Sequence, residues 1–417
     1  MKVLVIGSGA REHALVKSLL ADPGVTEVVC APGNAGVALD CTTLSVDIAD
    51  ATAIADLAER LAPDLVVIGP ELPLVNGAAD AVRERGISCF GPSAAAAQLE
   101  GSKAFAKDVM AAAGVPTANS VVCADLAQVE SALDRFAAPY VVKDDGLAAG
   151  KGVVVTDDRA QALSHARECL GRGAQIVIEE FLSGPEVSLF VITDGVNAVP
   201  LLAAQDHKRV GDGDTGANTG GMGAYTPLDW APADLVERIM DDVARPTLAE
   251  MSRRGTPFAG VLYCGLALTP AGLRVVEFNA RFGDPEIQAV LRLLDSPLGS
   301  VLVAAADGAL DSLPPLRWRP GSAVCVVIAA HGYPGDVITG DDIVGIDRAD
   351  NVPGVQVVHA GTQNRDGRVV TAGGRVLSVT AVGDDLAQAL QRAYQGVALI
   401  EIRGAHHRTD IGRRAGV

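Results

Sequence analysis

At 417 residues the chain is too long for one ordinary core, and two to four compact units are expected. Apolar residues make up 49% and aromatic residues only 4%, which suits an α/β protein rich in Val, Ala, Leu and Gly. The net charge of −17 argues against a chain that wraps nucleic acid and leaves only local basic pockets able to hold a phosphate.

Strands and helices alternate through the first hundred residues. KVLVIG (2–7) reads as a strand, REHALVKSLL (11–20) as a helix, EVVCAPG (27–33) as a strand and DATAIADLAERL (50–61) as a helix. DLVVIGP (64–70), GAADAVRERG (77–86) and SCFGP (88–92) continue as strand, helix and strand. This order predicts a parallel sheet with helices on both faces and ligands at the carboxyl ends of the strands, where GSG, PGNAG, GPELP and GPS lie. The first strand runs directly from Met1 with no signal peptide ahead of it, and no apolar run is long enough to span a bilayer. Seven cysteines are scattered singly, as small buried hydrophobes in a reducing compartment would be, so the cytoplasm is expected.

A helix at 102–113 is broken by Gly114-Val115-Pro116, after which a mostly β unit of about eighty residues is expected, with a glycine hairpin near its start. It reads PYVVKDD, a glycine-rich turn, GVVVTDD, a helix around 158–170, QIVIEEFL and EVSLFVITDG. Strands and helices mix from about 190 to 310. Beyond Pro314, AVCVVIAAHG, VQVVHAGT and RVLSVTAVG predict the strands of a last small domain, closed by a helix in LAQALQRAYQGVALI.

Several segments carry chemistry. GSGAREH (7–13) joins a strand to a helix, so its N–H groups can hold an anion, but it lacks the third glycine and the ribose acid of a dinucleotide fingerprint; a plain tight turn accounts for it equally well. PGNAG (32–36) is a second glycine turn on the adjacent strand end, and Glu71 stands at a third. In VVKDDGLAAGKGVVV (141–155), Lys143 ends an apolar strand, where burial calls for an anionic partner such as a ligand phosphate, and Lys151 sits in a glycine-rich loop suited to closing over phosphates. IVIEEFLSGPEVS (176–188) sets Glu179, Glu180 and Glu186 around a break in a strand, which suits a nucleotide hinge or a hairpin with solvated acids. AQDHKRVGDGDTGANTGGMGAY (204–225) places Asp206 to Arg209 before a glycine-rich loop, read as mobile and able to fold over phosphate. In RVVEFNARFGDPE (274–286), alternate residues share one face of a strand, so Glu277, Asn279 and Arg281 converge. No G-x-S-x-G or H-E-x-x-H occurs.

In order along the chain, VIGSGAREHAL, PGNAG, GPE-PL, DGLAAGKGV, EEFL-G-E-S, QDHKR, NTGGMGAY and EFNARFGDPE resemble the glycinamide ribonucleotide synthetase family of ATP-grasp ligases. The likeness runs over essentially the entire chain. One departure is visible: the family usually reads KADGLAAGKG, and here Lys143-Asp144-Asp145-Gly146 puts an added acid beside the lysine.

The resemblance implies an α/β (α+β multidomain) ATP-grasp fold. A Rossmann-like phosphoribosylamine-binding domain would span 1–101, an ATP-grasp domain 102–315 with a mobile β-rich subdomain about 115–188, and a small carboxyl-terminal domain 316–417. It implies that ATP phosphorylates the carboxylate of glycine, that the amine of 5-phosphoribosylamine attacks the glycyl phosphate, and that glycinamide ribonucleotide forms in purine synthesis. Glu277 and Asn279 match the metal ligands, for Mg²⁺ or Mn²⁺. Arg281 would stabilise the transferring phosphoryl group, with Asp206 and Lys208 on the acceptor side. Lys103, Lys143, Gly150 and Lys151 would hold ATP phosphates; Glu179, Glu180 and Leu182 the adenine; and Glu186 the ribose. Gly9, Asn34, Gly36 and Glu71 would hold phosphoribosylamine, Gly220, Gly221 and Met222 the phosphate side, and Asp284 the glycine ammonium. Only small-molecule substrates are expected, with no nucleic acid or membrane, acting on a monomer. The rivals are another ATP-grasp carboxylate–amine ligase, an oxidoreductase or regulatory module on the first domain, and a catalytically dead ATP sensor.

Overall fold

The computed structural model describes residues 1–147 and 152–413. Its first unit is a five-stranded parallel sheet of Lys2–Gly7, Glu27–Pro32, Thr42–Thr43, Leu65–Ile68 and Cys89–Phe90, in spatial order third, second, first, fourth, fifth. Both faces are covered, so alternate side chains enter different cores. Leu4 and Ile6 pack with Ile54 and Leu57 of helix Ala51–Leu61, whereas Val3 and Val5 pack with Leu15 and Leu19 of helix Ala10–Leu20. The strand order reverses beside Lys2–Gly7, which opens a crevice between the turns at Gly7–Gly9 and Gly69–Glu71.

The second unit is a four-stranded antiparallel sheet, Ser120–Cys123, Ile176–Glu179, Tyr140–Asp144 and Val153–Thr156 in spatial order, with a core drawn wholly from residues between 121 and 178. It contains two helices, Arg159–Gly171 and Leu126–Arg135. The second of these departs from the mostly β expectation. Its signal was local: Asp125 accepts from the Gln128 amide as an N-cap, and Val129, Ala132 and Leu133 form a buried stripe. The entry helix Lys103–Ala113 begins as expected, with Ser102 accepting from the Phe105 amide, and stops at Gly114 in the left-handed region, φ +67°.

Two further antiparallel sheets, of four and of five strands, follow. One orders Ala198–Pro200, Glu186–Asp194, Ala259–Thr269 and Gly272–Asn279; the other orders Gln205–Asp206, Gly223–Thr226, Ser322–Ala329, Arg375–Gly383 and Val355–His359. The last sheet thus draws strands from both sides of residue 315. Among the described residues no helix is long and apolar enough to cross a membrane.

Strand Gly272–Asn279 carries a β-bulge. Gly265 faces Glu277 and Leu266 faces Val275, so Val276 is an extra residue with no partner. Before the bulge Leu273 and Val275 face the core; after it Phe278 and Ala280 do. The frame shift turns Glu277, Asn279 and Arg281 to the opposite side. Strict alternation from Leu273 would have buried Glu277 among apolar side chains.

The glycine-rich stretch after Asp206 is built, not free. Arg209–Gly211 pairs with Thr215–Asn218 as a hairpin. Arg408, only 1% exposed, donates to the Arg209 carbonyl at 3.1 Å and to Asp214 at 2.7 Å, and pairs with Asp410 at 2.7 Å. Asp212 accepts from the Thr409 amide at 2.8 Å, and Asp410 from the Gly213 amide at 2.8 Å. The expectation of a mobile loop fails here because partners two hundred residues away in sequence pin the hairpin. Arg408→Met is expected to cost about 2 kcal/mol, since both carboxylates it leaves behind are partly solvated. A lower urea midpoint, with faster hydrogen exchange centred on 209–218, is the measurement that checks this.

Candidate active site

Beyond the bulge, Glu277 and Asn279 present a carboxylate and an amide toward the four-stranded lobe. The extra residue leaves a ladder carbonyl unpaired, and Lys143 Nζ donates to it, at Val276 O, over 3.1 Å. Lys143 lies 2.7 Å from Glu179 Oε2, and Lys107 lies 3.0 Å from Glu179 Oε1. The anionic partner that buried Lys143 requires is therefore a protein carboxylate. Lys107 also donates to Thr117 Oγ1 at 2.9 Å and to the Ala118 carbonyl at 3.0 Å. Lys103, one helical turn before Lys107, donates to the Gly146 carbonyl at 3.0 Å, at the foot of the glycine loop. Gly150 and Lys151 fall outside the described residues.

Charge in this cleft is arranged in opposition. Burial pushes the Glu277 carboxyl up, but Lys208, Lys143, Arg281 and Lys103 together outweigh it and bring it below its ordinary value. Burial and the neighbouring Lys143 lower Lys103 in spite of Glu277. Lys208 pairs with Glu186. Burial pushes the Asp206 carboxyl up to about 8; Lys208 opposes that shift, while Glu286, Glu186 and Glu277 reinforce it. Beside them Ser188 Oγ donates to Glu286 Oε1 at 3.0 Å and stands 2.9 Å from the Tyr263 hydroxyl.

Arg281 is 3.1 Å from Glu100 Oε1 and 3.4 Å from Glu71 Oε2, so it joins the crevice of the first unit to the end of strand Gly272–Asn279. Asp284 Oδ1 accepts from Gln288 at 2.8 Å and pairs with Arg375 at 3.1 Å. Arg375 also donates to the carbonyls of Gly220 and Asp284, at 2.6 and 2.8 Å, and the Tyr333 hydroxyl accepts from the Gly220 amide at 3.0 Å. Gly221 has φ +108°, and a Cβ there would lie 2.3 Å from Pro285 Cδ, so the turn tolerates no side chain. Met222 is fully buried beneath it.

Other sites that the sequence singled out are engaged within the fold. Asn34 donates to the carbonyls of Ser8 and His359, both at 2.8 Å, and its Oδ1 accepts from the amides of Gly36 and Val37, both at 3.0 Å. A Cβ on Gly36 would meet His359 Cγ at 2.3 Å, so that turn is a joint with the last domain. Gly7 of GSGAREH and Gly69 of the neighbouring strand end make room for Glu12: a Cβ on Gly69 or Gly7 would lie 2.2 or 2.4 Å from its side chain, and the Gly9 amide donates to it at 2.6 Å. Glu180 accepts from the Asn119 amide at 2.9 Å, where the chain enters the four-stranded lobe, and Leu182 is half-buried. The added acid Asp144 pairs with Arg172 at 3.0 Å. Asp145 caps the entry helix by accepting from the Ala104 amide at 3.1 Å.

Sequence reasoning missed Lys107, Glu100, Arg11, Glu12 and Arg375. Lys107 was detectable, four residues after Lys103 on one helix face. The others act through contacts 91 or more residues away, or through a turn whose glycines drew attention first.

Three family models match the chain: the phosphoribosylglycinamide synthetase N domain over residues 1–100, its ATP-grasp (A) domain over 101–287 and its C domain over 323–414. The chain is 60% identical to a phosphoribosylamine–glycine ligase of Streptomyces coelicolor over 417 residues, covering 100% of this chain and 99% of that one. It is 55% identical to one from Mycobacterium tuberculosis over 421 residues, covering 100% and 98%. The crystal structure of the phosphoribosylamine–glycine ligase of Thermotoga maritima is similar with a TM-score of 0.85 at 33% identity, covering 99% of this chain and 100% of that chain. The biotin carboxylase domain of a Hydrogenobacter thermophilus 2-oxoglutarate carboxylase, solved with MgADP, ADP and bicarbonate, shares the fold at a TM-score of 0.74 and 18% identity, covering 97% and 91%.

Glu179→Gln removes the charge that balances two buried lysines, and is expected to cost about 3 kcal/mol. The denaturant midpoint checks it; an unchanged midpoint would mean that Lys107 and Lys143 find other counter-charge.

Proposed function

The chain belongs to the phosphoribosylglycinamide synthetase family, and on that footing we propose that its cleft uses ATP to join glycine to 5-phosphoribosylamine in purine biosynthesis through a glycyl phosphate. The glycine carboxylate attacks the γ-phosphoryl group and ADP departs; the amine nitrogen then attacks the acyl carbon, phosphate departs and the nitrogen loses a proton. Glycinamide ribonucleotide, ADP and phosphate result.

The observation that carries this reading is the face beyond the bulge, where Glu277 and Asn279 meet Lys143, Lys103, Lys208 and Arg281. A carboxylate and an amide are hard oxygen donors and fit Mg²⁺ or Mn²⁺. Among the described residues no cluster of three His, Cys, Asp or Glu could hold a metal, so Glu277 and Asn279 would hold it together with groups that the nucleotide brings. When bound, the metal neutralises charge on the phosphates. Lys143 and Lys103 orient the phosphate chain, and Arg281 faces the phosphoryl group being transferred. Asp284, lowered below its ordinary value because Arg375 and Arg11 outweigh its burial, carries the negative charge that a glycine ammonium needs. No covalent nucleophile is required, and catalysis rests on positioning and charge. Asp206 receives the proton from the amine nitrogen. All seven cysteines are free thiols, which suits the reducing cytoplasm.

ADP release with Mg²⁺, glycine and 5-phosphoribosylamine, each substrate alone and then both together, is the direct test. Turnover should require both, whereas turnover with a different acid or amine would move the chain to another carboxylate–amine ligase. Glu277→Ala should lower turnover about a thousandfold while circular dichroism and melting stay close to the parent. A carboxyl raised to about 8 is protonated below that pH and becomes a base above it, so kcat should climb through about pH 8. In Asp206→Asn that rise should vanish; a rise that persisted would remove Asp206 as the base.

A further inference from the structure

Glu100 lies at the end of helix Ala94–Gly101, in a stretch whose neighbours Ala96, Ala97 and Leu99 are buried in the core. Its own side chain is 7% exposed. A carboxylate there is costly to bury unless both oxygens are used, and both are. Oε2 accepts from the Ala280 amide at 2.7 Å, and Oε1 faces Arg281 NH2 at 3.1 Å. Ala280 is the residue between Asn279 and Arg281. One carboxylate therefore grips the backbone between a metal-facing amide and a phosphoryl-facing guanidinium, and also sets the direction of that guanidinium. Glu71 meets Arg281 from the other side at 3.4 Å, so the arginine is held between two acids on separate elements.

We propose that Glu100 is a positioning residue for phosphoryl transfer: it fixes the strand end so that Asn279 reaches the metal and Arg281 points into the cleft. This rests on the reading of Glu277 and Asn279 as metal ligands. Buried charges elsewhere in the cleft have the same logic, and Glu100 applies it to the strand end itself, holding its main chain and its guanidinium at once. Burial raises its carboxyl, and Arg281 and the Ala280 amide oppose the rise.

Two variants separate the two contacts. Glu100→Gln keeps an oxygen for the Ala280 amide but turns an NH2 group toward Arg281, where two donors repel. Glu100→Leu loses both contacts at similar volume. Each is measured for kcat, for KM of ATP and glycine, and for Mn²⁺ binding in the presence of ADP by electron paramagnetic resonance. Glu100→Gln should bind Mn²⁺·ADP within about threefold of the parent and lose about thirtyfold in kcat with little change in KM, because only Arg281 is released. Glu100→Leu should also lose about tenfold or more in Mn²⁺·ADP affinity, as Asn279 loses its support. A lowered melting temperature with parental kcat and Mn²⁺·ADP affinity in both variants would make Glu100 merely structural and overturn the proposal. Glu277→Ala serves as the reference. If it loses Mn²⁺·ADP binding while both Glu100 variants behave as the parent, the positioning role alone falls; if it binds normally, the metal reading falls and the proposal with it.

Discussion

Strand Gly272–Asn279 must face an apolar core along its first half and a charged cleft at its end, and a strand with strict twofold alternation cannot do both. Leu273 and Val275 commit one face to the core, and two further steps along that face would reach Glu277. The extra residue Val276 resolves the conflict by shifting the frame, so that Phe278 and Ala280 inherit the core and the three polar residues inherit the cleft. It also frees the carbonyl that Lys143 uses, which binds the four-stranded lobe to the strand it serves. Placement of the polar face and docking of the lobe thus share one cause.

Around that strand the charges form chains of alternating sign. Glu12 contacts Arg11, Glu71 and Glu100 flank Arg281, and Lys107 and Lys143 flank Glu179. The chains through Arg281 and Glu179 cross between elements far apart in sequence, so each of these two is both an electrostatic balance and a spatial tie. The protein carries a net charge of −17, yet Glu277 is bathed by four cations. Local arrangement, rather than overall charge, determines what the cleft attracts.

The parallel sheet was legible because Val3 to Ile6 and Leu65 to Ile68 are continuous apolar runs with glycine turns behind them. So was the meeting of Glu277 with Asn279, for which alternation holds after the bulge. The bulge itself was not, because nothing in RVVEFNA marks Val276 as unpaired until its partner strand is known. The fate of Asn34 was equally hidden: its side chain donates to the carbonyl of His359, 325 residues on, a partner that its turn does not announce. Lys143 was read as needing an anionic partner such as a ligand phosphate, and the partner that it meets in the fold is the Glu179 carboxylate. Asp144, the added acid beside that lysine, meets Arg172. Local pattern reports which residues need partners; it does not report which distant residue supplies them.

The sheet that seats Gly223–Thr226 between Gln205–Asp206 and Ser322–Ala329 has a temporal consequence. During synthesis these early strands leave the ribosome about a hundred residues before the strand that covers their edge, a non-local pairing of the kind that folds slowly. Until then Gly223–Thr226 offers an open edge, and the Gly220–Gly221 turn lacks Arg375 and Tyr333. The amino-terminal sheet has no such wait. Assembly of this protein therefore ends at the Gly220–Gly221 turn and Asp284, the side of the cleft that takes shape only once the last domain has been made.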